Sequence, residues 1–537
     1  MKKFFAVLFC AGLLAGFNVR AALPPDLIAR IHFVGAGKVA ADPNYAAVQY
    51  VFSSPEAQAL KQQTLAKLSL TPYAWLQTKI AAGSSNGTAQ LRPLFDDLTQ
   101  AEWYFEARNA NNATEAVLAV RLDAAHAQVW QDNLKNVLEM WTKLPAEKTA
   151  DGWLLKKHLP PNFIKFARVG DWVVLGCGQN ATPLNDGIIK RIQASKTPVT
   201  TAGNYWLSVE ADWARLAQWF PALKDYDLPD TQLQLSAADG NVHLNGKFFL
   251  AQPLAALETW RVPTNTLHQP FVSLTAARGF AAWLQRQSWA AQYAITPAPN
   301  QLFIWALAQL PYQTFAATPV ANGADALRQL DARLSTASFF NHQANTMMPF
   351  SLELTNNQLS VRGAPFIAPY VRAVKEPSGD FLFGGFFPNT PKPTPLPPDL
   401  FKQLATPGLV YYHWEITAER LPQVLNLTQL GLVLTQRRQL DGKSAAAQWI
   451  HSMEPKLGNT VTTVTQTAPT ELTFSRKAPS GFTAFELIAL ADWLEAPDFP
   501  AFDLKLPPHP RLKPGIKPGG AKPIKLITAP TPAPTPK

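Results

Sequence analysis

Four times along this 537-residue chain an extended apolar stretch gives way to a helical stripe. Glu115 to Leu122 reads as a strand, Asp123 as an N-cap, and Ala124 to Trp141 as a helix. That helix carries Ala127, Trp130, Leu134, Val137, Leu138 and Trp141 at the 3.6-residue period. Tyr205 to Glu210 precedes a helix with Trp213, Leu216, Ala217 and Phe220 on one side. Phe271 to Leu274, capped by Thr275, precedes Phe280, Trp283 and Leu284; Leu409 to Ile416, capped by Thr417, precedes a helix to about Leu427. A Ser, Thr or Asp at such a junction satisfies free helix N–H groups. A chain built this way must lay apolar helix faces on sheets.

Hairpin signals surround these units. Thr231 to Ala238 and Asn241 to Leu250 alternate across Asp239-Gly240, a tight-turn pair. Phe350 to Leu354 turns over Asn356-Asn357 into Leu359 to Arg362. Trp103 to Arg108 pairs with Glu115 to Leu122, and Trp153 to His158 with Phe163 to Arg168. Short links make antiparallel neighbours. The expected fold is therefore α+β: antiparallel sheets with Trp-bearing amphipathic helices on one face, built from loosely repeated strand–helix units. Leu23-Pro-Pro-Asp-Leu27 also recurs as Leu396-Pro-Pro-Asp-Leu400, but uneven spacing argues against a solenoid or propeller.

Charge divides the chain. The net charge is +10. Residues 1–21 contribute +3 and residues 505–537 contribute +7, without an acid in either, so 22–504 sums to zero. Lys2-Lys3, the apolar run Phe4 to Phe17 and Val19-Arg20-Ala21 have the layout of a signal peptide. Phe9 before Cys10 does not fit a lipid-attachment motif. Residues 505–537 read as a disordered, basic, Pro-rich tail of polyproline II character, about 100 Å long when extended. Six prolines in 388–398 mark a linker, and 195–204 a weaker break. The expected domains are a signal peptide (1–21), three α+β subdomains (22–198, 199–387, 399–504), the linker (388–398) and the tail (505–537). No segment after the leader is apolar enough to span a membrane as a helix. A basic tail is not the charged face of a nucleic-acid-binding domain; it reads either as a tether to an anionic envelope surface or as a solvated spacer with nothing bound.

Chemistry is sparse. Cleavage leaves Cys177 alone, without an internal disulfide, and its apolar run, Trp172 to Gly178, makes it a small buried hydrophobe. Gly83-Ser-Ser-Asn-Gly87 matches a nucleophile motif in letters, but a helix-like stretch, Pro72 to Ala82, runs into it, so it reads as a C-cap and loop. Gly35-Ala-Gly37-Lys38 lacks the rest of a phosphate loop and reads as a strand-to-helix turn. The nine histidines show no metal-ligand spacing, so no metal or cofactor is expected. Asp96-Asp97 suits capping or solvation. Glu102, Tyr104 and Glu106 share one strand face. The two acids stand about 13 Å apart along a strand, wide for a glycosidase pair, so a polar outer face is the simpler reading. Sixteen tryptophans are many. Trp103, Trp153, Trp172, Trp206 and Trp414 sit at strand positions whose apolar company assigns most to the core. Trp414 shares a face with Val410, Tyr412 and Ile416, opposite Tyr411, His413 and Glu415. No catalytic residue follows from this.

Leu23-Pro-Pro-Asp-Leu-Ile-Ala-Arg-Ile-His-Phe33 behind the leader resembles a family of large exported bacterial proteins with no assigned function. The runs Phe163 to Trp172, Leu409 to Ile416 and Ser480 to Leu494 are similar to it too. The resemblance covers about 22–500 and implies no activity or site residues. The expected function is a non-enzymatic binding or scaffold module of the cell envelope, periplasmic or extracellular, held by its tail. The alternatives are a hydrolase of envelope or extracellular polymers and a carrier of an apolar ligand.

Overall fold

A computed structural model describes residues 23–500 apart from 76–84, 111–112, 159–160, 180–182, 200–202, 221–222, 225–226, 268–269, 288–294, 309–312, 336–350, 356, 364–366, 388–397, 435–440 and 498. The leader, the tail, and the linker apart from Pro398 lie outside the described residues. The fold is α+β, and its strands form one 20-stranded sheet.

The first ten strands are β1 (Leu27–Phe33), β2 (Trp103–Ala110), β3 (Ala113–Arg121), β4 (Glu147–Lys148) and β5 (Gly152–Lys156), then β6 (Phe163–Val169), β7 (Trp172–Gly178), β8 (Leu207–Ala211), β9 (Asp230–Ala238) and β10 (Asn241–Phe249). The second ten are β11 (Phe271–Arg278), β12 (Gln301–Leu307), β13 (Thr314–Pro319), β14 (Ser351–Thr355) and β15 (Gln358–Arg362), then β16 (Tyr370–Glu376), β17 (Gly379–Gly385), β18 (Leu409–Ile416), β19 (Asn459–Ala468) and β20 (Glu471–Ala478). Every pairing is antiparallel. The first half runs β4-β5-β6-β7-β3-β2-β1-β8-β9-β10. The second runs β14-β15-β16-β17-β13-β12-β11-β18-β19-β20.

Adding ten to each strand number converts the first order into the second. The halves meet where β10 pairs with β20. These are equivalent strands in antiparallel contact, so the two halves are related by an approximate two-fold axis through that seam. Asn245 and Ser475 face each other there, 2.8 Å apart through their side chains.

The helices follow the same repeat. Ala124–Thr142 follows β3 as Gly323–Ser335 follows β13; Pro183–Ser195 links β7 to β8 as Pro398–Leu404 links β17 to β18. Two of the sequence-read units, after β8 and after β18, are true equivalents. The Leu-Pro-Pro-Asp-Leu echo is not one, because Leu27 opens β1 whereas Leu400 lies in helix Pro398–Leu404. Thr275 is not a cap either: β11 runs on to Arg278, and the turn comes at Gly279, with φ +83. The Asp239-Gly240 turn is as expected, both residues having positive φ.

Helices cover both faces, not one. Tyr104, Val117, Ala119 and Val174 pack on Ile188 and Ile192 of helix Pro183–Ser195. The same face of the second half packs Phe303, Trp305, Phe315 and Phe383 on Leu400 and Leu404. Opposite, Val120, Trp153, Phe166 and Val173 meet Leu91, Leu94 and Trp130 from helices Ser85–Leu98 and Ala124–Thr142. Leu359 and Leu382 likewise meet Ala326 and Leu327 of helix Gly323–Ser335. Alternation explains the difference. Val117 and Ala119 point to one face while Leu118 and Val120 point to the other, and both sets are apolar. β18 shows it again: Tyr412 and Trp414 join one core, while a bulge lets Val410 join Tyr411 on the other.

Candidate functional site

A dense polar cluster gathers where β1, β2 and β8 lie side by side. Pairing registers set it up: His32 of β1 sits between Tyr104 of β2 and Ser208 of β8, and Arg30 between Glu106 and Glu210. Gly35, at φ +92, then turns the chain into helix Ala36–Ala40. A Cβ at Gly35 would lie 2.9 Å from the Glu102 backbone nitrogen, so this turn needs glycine. The turn carries Lys38 back to Glu102.

A cleft of about 650 Å³ opens beside this cluster. His32, Lys38, Asp42, Glu102, Tyr205 and Trp206 line it. His32 Nδ1 is 3.0 Å from the Tyr205 hydroxyl, and Nε2 is 3.3 Å from Glu102 Oε1. Lys38 Nζ donates to Glu102 Oε2 at 3.0 Å, and Arg121 stands 3.5 Å from the same oxygen. Burial alone would raise the Glu102 carboxyl, but His32 and Lys38 hold it below its ordinary value. Trp206 Nε1 donates to Asp42 at 2.8 Å, fixing the opposite wall.

One step deeper the row continues as a buried ion network. Glu106 is fully buried. It accepts from the Tyr104 hydroxyl, from Arg108 Nε at 2.5 Å and from Arg191 at 3.2 Å, and Arg30 lies at 3.5 Å. Arg30 also donates to Glu210 at 2.7 Å. Burial opposes ionisation of Glu106, yet Tyr104, Arg30 and Arg108 pull its carboxyl down to about 2. Burial and the neighbouring Glu106 charge push the Tyr104 phenol up to about 12. The Glu102–Tyr104–Glu106 row thus shares one face as the sequence suggests, but it is an interior seam rather than an outer surface.

The second half builds a different cluster, on the other sheet face. His413 Nδ1 is 2.8 Å from the Thr275 hydroxyl, and Nε2 is 3.3 Å from Glu415. Glu415 accepts from Thr417 Oγ1 at 3.0 Å and from the Ala484 backbone at 2.7 Å, tying helix Ala484–Glu495 to the sheet. At the position equivalent to the cleft, Arg278 donates to the carbonyls of Leu409 and Glu258, with its guanidinium 4.6 Å from the Trp260 ring centre. The cleft thus stays open in one half, while an arginine and a tryptophan occupy the matching place in the other.

Other sequence candidates take structural places. Cys177 is half-buried in β7, and burial, then the Glu115 charge, raises its thiol above the ordinary value. Asp97 is a buried acceptor for His126 Nδ1 at 2.7 Å and Trp130 Nε1 at 2.8 Å, joining two helices rather than meeting solvent. Ser85 opens helix Ser85–Leu98, while Gly83 and Ser84 lie outside the described residues. Trp153, Trp172 and Trp206 are buried, and Trp103 and Trp414 pack against core clusters. Among the described residues, no group of three or more His, Cys, Asp or Glu side chains is arranged to hold a metal ion. Nor, among them, is a helix long and apolar enough to cross a membrane.

Family models, curated proteins and solved structures were compared with the chain, and none matches.

Proposed function

We propose that the chain is an exported, non-enzymatic binding module of the cell envelope that takes a hydroxyl-rich ligand in the His32–Glu102–Tyr205 cleft. The observation that carries this reading is the saturation of the cleft's acid and base. Both ring nitrogens of His32 have partners, and both Glu102 oxygens face His32 or a cation. Glu106 cannot serve as a proton donor at neutral pH with its carboxyl near 2. Such groups are fixed donors and acceptors, suited to recognition. The aromatic stack of Trp305, Phe315 and Phe383 packs the second half's core, which favours a surface cleft over a carrier's internal cavity. In the same proposal the +7 tail tethers the module to an anionic envelope surface.

Titration calorimetry with chitotetraose and maltotetraose, followed by chromatography of the mixtures, tests the cleft. The expected result is binding that weakens at least tenfold in His32→Ala and Glu102→Gln, with the sugars recovered intact. Time-dependent cleavage lost in Glu102→Gln would make the hydrolase reading the correct one.

A further inference from the structure

A second and larger groove lies on a different part of the sheet, about 930 Å³ in volume. Its walls come from helix Tyr45–Ser53, the β9–β10 turn, the start of β19 and the end of β20. The two-fold repeat explains why it is open. The seam axis carries the β9–β10 turn onto the β19–β20 turn. There the chain leaving β10 folds over the turn, with Leu250 N bonded to the Thr470 carbonyl and Leu254 N to that of Pro469. The chain leaving β20 departs instead at Gly481, with φ +83, into helix Ala484–Glu495. Nothing among the described residues covers the β9–β10 turn in the same way.

We infer that this groove binds a sugar bearing a phosphate or carboxylate group. Its lining has two ammonium groups, Lys456 and Lys477, and no carboxylate. Lys456 has no acidic partner among the described residues and stands over the Tyr50 ring at 5.1 Å. Lys477 has one distant partner, Asp239 at 3.7 Å, whose side chain is 78 % exposed. Two cations facing one concavity raise the local concentration of anions. The remaining polar groups are neutral. The amides of Gln49 and Asn459 are exposed, have no side-chain hydrogen bond among the described residues, and match ligand hydroxyls. The apolar lining is small: Ala46, Ala47, Val461 and Pro479. That floor has no place for an acyl chain, and the one aromatic ring already carries Lys456, so it is not free to stack a base. The volume far exceeds that of an inorganic ion, a water-sized share being about 30 Å³.

Calorimetry on the full chain tests this with four probes: glucose 6-phosphate, glucuronate, glucose and inorganic phosphate. At least one acidic sugar should bind ten or more times tighter than glucose and inorganic phosphate. The affinity should fall as salt rises. The Lys456→Gln/Lys477→Gln double variant should lose at least tenfold, with an unchanged melting temperature because both side chains are exposed. Gln49→Ala/Asn459→Ala should weaken the acidic sugar but not inorganic phosphate. His32→Ala should leave this binding intact. The inference is overturned if no acidic sugar binds, if glucose or inorganic phosphate binds as tightly, or if the lysine variant binds normally. Loss in His32→Ala would also overturn it, by placing the ligand in the other cleft.

Discussion

Glu106 has no solvent exposure and yet stays ionised, because Arg30, Arg108, Arg191 and the Tyr104 hydroxyl converge on it. Removing its charge takes away the carboxylate that Arg191 pairs with and leaves Arg30 and Arg108 to Glu210 and Asp26. Glu106→Gln should cost about 3–5 kcal/mol in urea unfolding. Its contribution also depends on pH. The carboxyl is lowered from 4.5 to about 2 on folding, so the stabilisation is complete above 4.5 and fades as pH falls toward 2. A shift of that size corresponds to about 3 kcal/mol. Stability measured between pH 5 and pH 2 should fall less steeply in Glu106→Gln; parallel curves would place the acid sensitivity elsewhere. The period-2 row Glu102-Tyr104-Glu106 was legible in the sequence. Its interior position was not, because Arg30 and Arg191 lie 76 and 85 residues from Glu106 and only β1 pairing and helix packing bring them in.

At the scale of elements, local signals read well where they are chemically complete. Asp123 accepts from His126 N at 2.9 Å and caps its helix as expected. The hairpins β2–β3, β5–β6, β9–β10 and β14–β15 all form. Thr275 failed because extended alternation continued past it, and Thr417 bonds Glu415 and Thr460 through its hydroxyl. The β10–β20 seam left no local signal, since it joins strands 230 residues apart at Asn245 and Ser475. Phe474 holds it: fully buried, it meets Phe248 edge-on at 6.1 Å across the seam. Phe474→Ala should cost about 3–5 kcal/mol. Hydrogen exchange should speed up in residues 241–249 as well as in β20. Acceleration confined to β20 would mean that the seam does not couple the halves.

At the scale of the molecule, the pairs β1–β8 and β11–β18 cross the sequence-based boundaries at 198 and 388–398. The repeat places the midpoint of the fold between β10 and β11 instead. The tail proposal belongs to this scale too. Deleting 505–537 should weaken retention on anionic envelope fractions, more at low salt than at high salt; salt-insensitive, unchanged retention would remove the tether. The sequence by itself determined the α+β class, four of the hairpins, the turns at Gly35 and Gly240 and the charge division, because each depends on periodicity, a dihedral or composition read over a few residues. The tertiary structure alone decided the single sheet, its duplicated order, the burial of Glu106 and which half keeps an open cleft. Those depend on contacts between strands and helices tens to hundreds of residues apart. Alternation shows that a strand has two faces, but not what covers each of them.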